Sequence, residues 1–216
     1  MPGREEGKLL RYHHHRSDGS GATYVWTSYL SSQSPLWNQT VGASKSVPWP
    51  VGIGPPDNEG VANAIKGSPN TIGYVDLNYA LTTRIPYALI KNSAGKFIAP
   101  SLDTTRDAVT NAPVAKSLPA GDQSWTKVLM LNSPGSDSYP IAAFTYLLLN
   151  KDLSTNPNLD QTRAKALVDF VSWVIGDGQK LAGNLGYVPL PAIVVMHDQD
   201  TLKSLTFRGT SLYKEQ

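Results

Sequence analysis

The 216-residue chain balances 19 Lys and Arg against 17 Asp and Glu, a formal net charge of +2, and carries no Cys. That charge supplies no basic field for nucleic acid, and the lack of thiols excludes a disulfide framework and cysteine chemistry. With 40% hydrophobic residues and 5 Trp the chain can pack a core, as one substantial domain or two small lobes.

The first residues, Met-Pro-Gly-Arg-Glu-Glu-Gly-Lys, have charge but no apolar run behind them and do not read as a signal peptide. Lys8 to His15 is expected to be a strand. In its His13-His14-His15 run, His13 and His15 share a face, which invites a metal reading. No Asp, Glu or Cys cluster accompanies the triplet and His197 is distant in sequence, so the expectation is a partly exposed strand end with no metal.

Arg16-Ser-Asp-Gly-Ser-Gly-Ala-Thr23 follows, and then Ala22 to Leu30, with Tyr24, Val25, Trp26 and Tyr29 at helical spacing. A strand, a Gly-Ser-Gly turn and a helix start form an anion-binding arrangement. The first N–H groups of a helix have no intrahelical partner, and the helix dipole favours negative charge there. Ser20 suits the N-cap, Gly19 and Gly21 let the backbone turn sharply and approach a ligand, and Arg16 offers a planar fork of donors. Asp18 is placed to hold that guanidinium.

Ser31 to Val51 reads as a polar, Pro-rich connection with Trp37 and Trp49 as packing anchors. A loop from Val51 leads into a helix over Gly60 to Ile65, capped by Asp57 or Asn58. Acidic Asp57 and Glu59 make that loop a poor anion cradle, and it is expected to be structural. Thr71–Leu77 and Ile85–Lys91 read as β, with a short helix near Asn78–Thr82 between them. Ser101 opens a helix to about Thr110, and Trp125–Leu131 is a strand. Tyr139–Leu149 has few polar residues and is expected to be a central strand covered on both faces. Leu159–Leu181 is the clearest helix, with Ala164, Leu167, Val168, Val171, Val174 and Ile175 on one stripe. The tail from Met196 is left without an assignment. Apolar runs such as Ala142–Leu149 are too short to cross a bilayer as a helix.

Arg16-Ser-Asp-Gly-Ser-Gly21 before an aromatic-rich helix resembles the central motif of the periplasmic phosphate-binding proteins, the substrate-binding subunits of phosphate ABC transporters. Three later stretches resemble the same family in the same order. They are Asn58-Glu-Gly-Val-Ala62 with Ile72-Gly-Tyr-Val75, Ser138-Tyr-Pro-Ile141 with Thr145-Tyr146, and Gly178-Gln-Lys180 with Leu185-Gly-Tyr-Val-Pro-Leu-Pro191. Pro55-Pro56 departs from the more Gly-rich loop of the family.

The resemblance implies an α/β, periplasmic-binding-protein-like (type II) two-lobed fold with one lobe incomplete. Family members carry roughly a hundred or more further residues ahead of the motif, about one small domain. The implied organisation is an N-terminal segment and hinge strand (1–15), a ligand-binding lobe (16–124), and the return crossover, strand and long helix of the other lobe (125–191). A C-terminal tail (192–216) completes it. The long helix should then lack partners for its apolar stripe, leaving the chain marginal, repacked or dependent on a second chain that supplies the missing lobe.

Implied with it are inorganic phosphate as ligand, membrane permease subunits as partners, an extracytoplasmic location, and neither cofactor nor enzymatic activity. Arg16 would bind two phosphate oxygens and Asp18 would orient it. Ser20 would donate through its hydroxyl and N–H, and Gly21 and Ala22 through their N–H groups. Ala22 stands where the family usually has Thr, a loss of roughly 1 kcal/mol of binding. Thr23 would substitute only if the turn shifts. Selectivity for phosphate over sulfate depends in the family on an acceptor in the absent lobe. Two alternatives stay open: a structural or interaction remnant that no longer binds, and a hydrolase using Ser20, for which no base is evident.

Overall fold

The computed structural model describes residues 12–213, so the N-terminal octapeptide and the Lys8–Arg11 part of the expected strand lie outside the described residues. Packing divides the chain into two compact units, between Leu89 and Ile90, inside the 16–124 segment.

In the first unit β1 (Tyr12–His14) pairs in parallel with β2 (Thr71–Gly73), His13 opposite Ile72 and His14 opposite Gly73. Parallel neighbours require a long crossover. Here it contains α1 (Gly21–Gln33), α2 (Pro35–Thr40) and α3 (Asp57–Gly67). Ser34 closes α1 and caps α2 by accepting from the Trp37 N–H, with Pro35 pre-set at the first helical position. The segment read as an irregular connection therefore holds a helix. Residues 51–55 do not form a separate loop. They run beside β1, the His15 N–H donating to the Ile53 carbonyl and the Ile53 N–H to that of His13. Gly52 permits this: its φ is +113, and a Cβ there would sit 2.4 Å from the His13 carbonyl oxygen. Helix α3 begins at Asp57, earlier than expected, and neither Asp57 nor Asn58 caps it. Asn58 instead reaches Asp76, the residue ahead of α4 (Leu77–Thr83), with Nδ2 donating to Oδ2 at 2.8 Å.

The second unit opens with the pair β3 (Ile90–Lys91) and β4 (Phe97–Ile98). Helix α5 (Leu102–Asn111) starts in a reciprocal Ser101–Thr104 capping box. Its Ala108 and Val109, with Ala112 just beyond its end, pack with Met130 and Ala142 of the antiparallel pair β5 (Met130–Leu131) and β6 (Ile141–Ala142). The expected central strand over Tyr139–Leu149 is thus two paired residues. Beyond Ala142 no further strand pairing forms among the described residues; Phe144 and Leu149 pack at the margins of the two cores, while Leu147 and Leu148 face outward, Leu148 92% exposed.

Helix α6 (Gln161–Ile175) is capped by Asp160 and buries Ala164, Val168, Val171 and Ile175 of the expected stripe, with Leu167 and Val174 half-buried. Gly176 ends it, and the chain restarts as the short α7 (Gln179–Ala182) instead of continuing to Leu181. The unassigned tail supplies α8 (Ala192–Lys203) and the pair β7 (Thr206–Phe207) and β8 (Thr210–Ser211). Leu202, Leu205 and Leu212 from this tail, with Leu153, cover the α6 stripe. The expectation that the stripe would lack partners is corrected: the chain's own last residues fill that role. Among the described residues no helix is long and apolar enough to cross a membrane.

Candidate functional site

The Arg16–Thr23 turn is held at three points. Ser20 caps α1, its Oγ accepting from the Thr23 N–H at 3.3 Å. Its own N–H donates to the Lys45 carbonyl at 3.0 Å, so of the two donors expected from Ser20 only the hydroxyl remains. Tyr74, just after β2, supplies the second point: its hydroxyl accepts from the Arg16 N–H at 3.1 Å and lies 2.7 Å from Thr23 Oγ1. Thr23 is fully buried with its hydroxyl engaged there, and so does not supply a free hydroxyl beside Ala22. The third point is Thr27, whose Oγ1 donates to the Thr23 carbonyl at 2.8 Å and accepts from the Ser44 N–H at 3.3 Å.

The side chain of Arg16 is 10% exposed, and its guanidinium forks onto Asp18, Nε to Oδ1 at 2.7 Å and Nη2 to Oδ2. The hydrogen bond from Arg16 holds the Asp18 carboxyl well below the usual carboxylate range, helped by the Asp57 N–H, which donates to Oδ1 at 3.1 Å. The same pair raises the Arg16 pKa further above neutrality. Asp18 therefore has two tasks, orienting Arg16 and closing the start of α3. It leaves the Nη1–Nη2 edge of the guanidinium, where the Asp57 carboxylate approaches Nη2 at 3.6 Å.

Among the described residues the N–H groups of Gly21 and Ala22, in the first turn of α1, have no acceptor. Neither Gly19 nor Gly21 adopts a positive φ, so the expected sharp turn is made without a left-handed glycine. A Cβ on either would meet no protein atom within 4 Å.

A family model described as a PBP superfamily domain matches residues 14–177, well over half of the chain. The chain belongs to the PBP superfamily. It is 38% identical over 190 residues to the phosphate-binding protein PstS of Pasteurella multocida, an alignment covering 88% of this chain and 52% of that protein. It is 40% identical over 187 residues to PstS of Methanocaldococcus jannaschii, covering 82% and 47%. With PstS3 of Mycobacterium bovis the identity is 32% over 181 residues, covering 82% and 46%. The chain thus spans about half the length of these relatives.

Around this PBP-superfamily turn, sequence reading missed two residues. Tyr74 lies inside the Ile72-Gly-Tyr-Val75 stretch that carried part of the resemblance, so a signal existed. Asp57 shows in the sequence only as a cap candidate and an acidic residue, with nothing local to tie it to Arg16 and Asp18. His13 and His15 flank Trp49, with ring centroids 5.0 and 4.9 Å from it, and the rings of Trp37 and Tyr74 adjoin the same indole. His14 is not a partly exposed strand end: it is 3% exposed, and neither ring nitrogen has a hydrogen-bond partner among the described residues. Burial, then the neighbouring His15, pushes its pKa down. Among the described residues no group of three or more His, Cys, Asp or Glu is arranged to hold a metal ion.

Proposed function

We propose that the turn is one half of a phosphate-binding site, and that the chain serves as the substrate-binding component of a phosphate transporter. The observation that carries the reading is Arg16, locked by Asp18 beside the capped start of α1, with two first-turn N–H groups unengaged. A guanidinium edge plus helix-terminal N–H groups is chemistry suited to a tetrahedral oxyanion. Arg16 contributes Nη1 and Nη2, Ser20 its hydroxyl, and Gly21 and Ala22 their N–H groups. Asp18 contacts Arg16 and not the ligand. Glycine at 19 and 21, required neither by φ nor by neighbouring atoms, fits close approach of an anion.

The names of the PstS relatives support phosphate as that anion. With it come, as parts of the same proposal, an extracytoplasmic site of action, permease subunits as partners, and further residues on a second lobe or chain that complete the cleft. Ligand binding without catalysis also fits Ser20, whose oxygen is spent as a cap with no histidine bonded to it among the described residues.

Calorimetric titration of the whole chain with phosphate, beside Arg16→Ala, tests the reading. Binding in the wild type that is lost in the variant is expected. A folded wild-type chain giving no heat at millimolar phosphate overturns it and favours the non-binding remnant.

A further inference from the structure

As an anion site, the Arg16–Thr23 turn has an electrostatic difficulty. Its guanidinium already neutralises Asp18, and the carboxylates of Asp57 and Asp76 act on it as well. At Arg16, then, one cation faces three carboxylates, and the N-terminus of α1 adds only about half a positive charge. Resting on the anion-binding reading, we infer that Lys45 is a further cation of this half-site, drawing the oxyanion through space onto the start of α1.

The backbone places Lys45 there. The Ser20 N–H donates to the Lys45 carbonyl at 3.0 Å. The preceding residue, Ser44, is tied to the second turn of α1: its N–H donates to Thr27 Oγ1, and its carbonyl accepts from that hydroxyl, both at 3.3 Å. Covalent geometry then bounds the ammonium. From Ser20 N across the hydrogen bond to the Lys45 Cα, and along a fully extended side chain, is roughly 12 Å. No rotamer therefore carries Nζ far beyond one Debye length, about 10 Å at 0.1 M salt. Lys45 is exposed, and among the described residues its side chain enters no hydrogen bond or ion pair, so its charge is uncommitted. A dianion feels that charge twice over, and salt screens it. Lys45 thus strengthens capture, while Arg16 and the first-turn N–H groups fix the anion's position.

The test is calorimetric titration of the whole chain with inorganic phosphate, as wild type, Lys45→Gln, Lys45→Arg and Lys66→Gln, at about 0.1 M and about 1 M salt. Lys66 is the exposed basic residue in the last turn of α3, roughly 14 Å along that helix from Asp57, and controls for net charge alone. At 0.1 M, Lys45→Gln should weaken binding about threefold, Lys45→Arg should restore it, and Lys66→Gln should leave it unchanged. At 1 M, where the Debye length is about 3 Å, wild type and Lys45→Gln should converge. Equal affinities of wild type and Lys45→Gln at 0.1 M overturn the inference alone. So does an equal loss in Lys66→Gln, a loss that persists at 1 M, or a failure of Lys45→Arg to restore binding. A folded wild-type chain that takes up no phosphate overturns the underlying reading instead.

Discussion

The hydroxyl of Tyr74 lies 2.7 Å from Oγ1 of Thr23 while accepting the Arg16 N–H at 3.1 Å, so a single side chain ties both ends of the Arg16–Thr23 turn. Tyr74→Phe keeps the ring against Trp26 and Trp49 and removes only the oxygen. A half-buried N–H and a buried hydroxyl then lose a partner, a cost of about 1–2 kcal/mol. The expected result is a lower melting temperature and weaker phosphate binding. Thr23→Val should cost about 1 kcal/mol, and the double variant less than the sum, because both delete one shared bond. Strict additivity in a double-mutant cycle would mean that the two hydroxyls do not interact.

Asp18 sets two effects against each other. Removing its charge makes the turn more positive, which favours any anion. It also frees the Arg16 guanidinium, which then has Asp57 as its remaining partner at 3.6 Å. Orientation should win, because two charge-assisted hydrogen bonds to Arg16 are lost, whereas the electrostatic gain arises at a partly exposed carboxylate and is screened. Asp18→Ala should weaken phosphate binding about tenfold. The Asp57 N–H loses its acceptor too, so the start of α3 should fray in hydrogen exchange. Tighter phosphate binding by the variant would refute the orienting role.

His14 makes stability sensitive to mild acid. Its pKa in the folded chain is depressed, so the stability linked to its neutral form is present in full above the unfolded value of about 6.5 and is lost as pH falls from there through the folded value. His13 shifts the same way through burial and then His15, and adds to the slope. Since the ring nitrogens of His14 have no partner among the described residues, a Leu there removes unpaired polar atoms at little cost. His14→Leu should therefore leave the neutral-pH melting temperature within a few degrees of wild type and flatten the decline below about pH 6.5. An equally steep decline in the variant would place the acid sensitivity elsewhere. The Arg16–Asp18 pair should not contribute in that range. The depressed pKa of Asp18 keeps its share of stability intact above the ordinary carboxylate value of 3.8, to be lost only as pH falls below it.

Features legible in the sequence were local. Ser20 and Ser101 announce helix starts because a capping oxygen needs only the N–H three residues on. The α6 stripe announces itself because helical period and burial coincide within one segment. Features decided by distant pairing were not legible. Asp57 reaches Asp18 across 39 residues and Tyr74 reaches Arg16 across 58, and nothing in either stretch specifies the other. Helix α2 spans 6 residues, too few to show a period, although Ser34-Pro35 carried a start signal. The run after Ala142 misled for the opposite reason: uniform apolarity reads as burial on both faces, yet Leu147 and Leu148 face outward.

That contrast yields a direct test of the second unit. Leu205 is 5% exposed in the cluster that closes over α6, and its truncation to Ala leaves a cavity beside the tightly packed Ala164–Val168 face. Such losses cost about 2–4 kcal/mol, a shift well resolved in chemical denaturation. Leu148 is of the same residue type in an equally apolar stretch, but at 92% exposure it has almost no contact to lose. Leu148→Ala should change stability by less than about 0.5 kcal/mol. A large loss from Leu148→Ala would mean that the run is buried in solution, as its composition suggests. A negligible one from Leu205→Ala would mean that the tail does not cover α6. The expected pattern, a large loss at 205 and almost none at 148, assigns the closing of this core to the last residues of the chain, which carry no part of the resemblance, and not to its most apolar run.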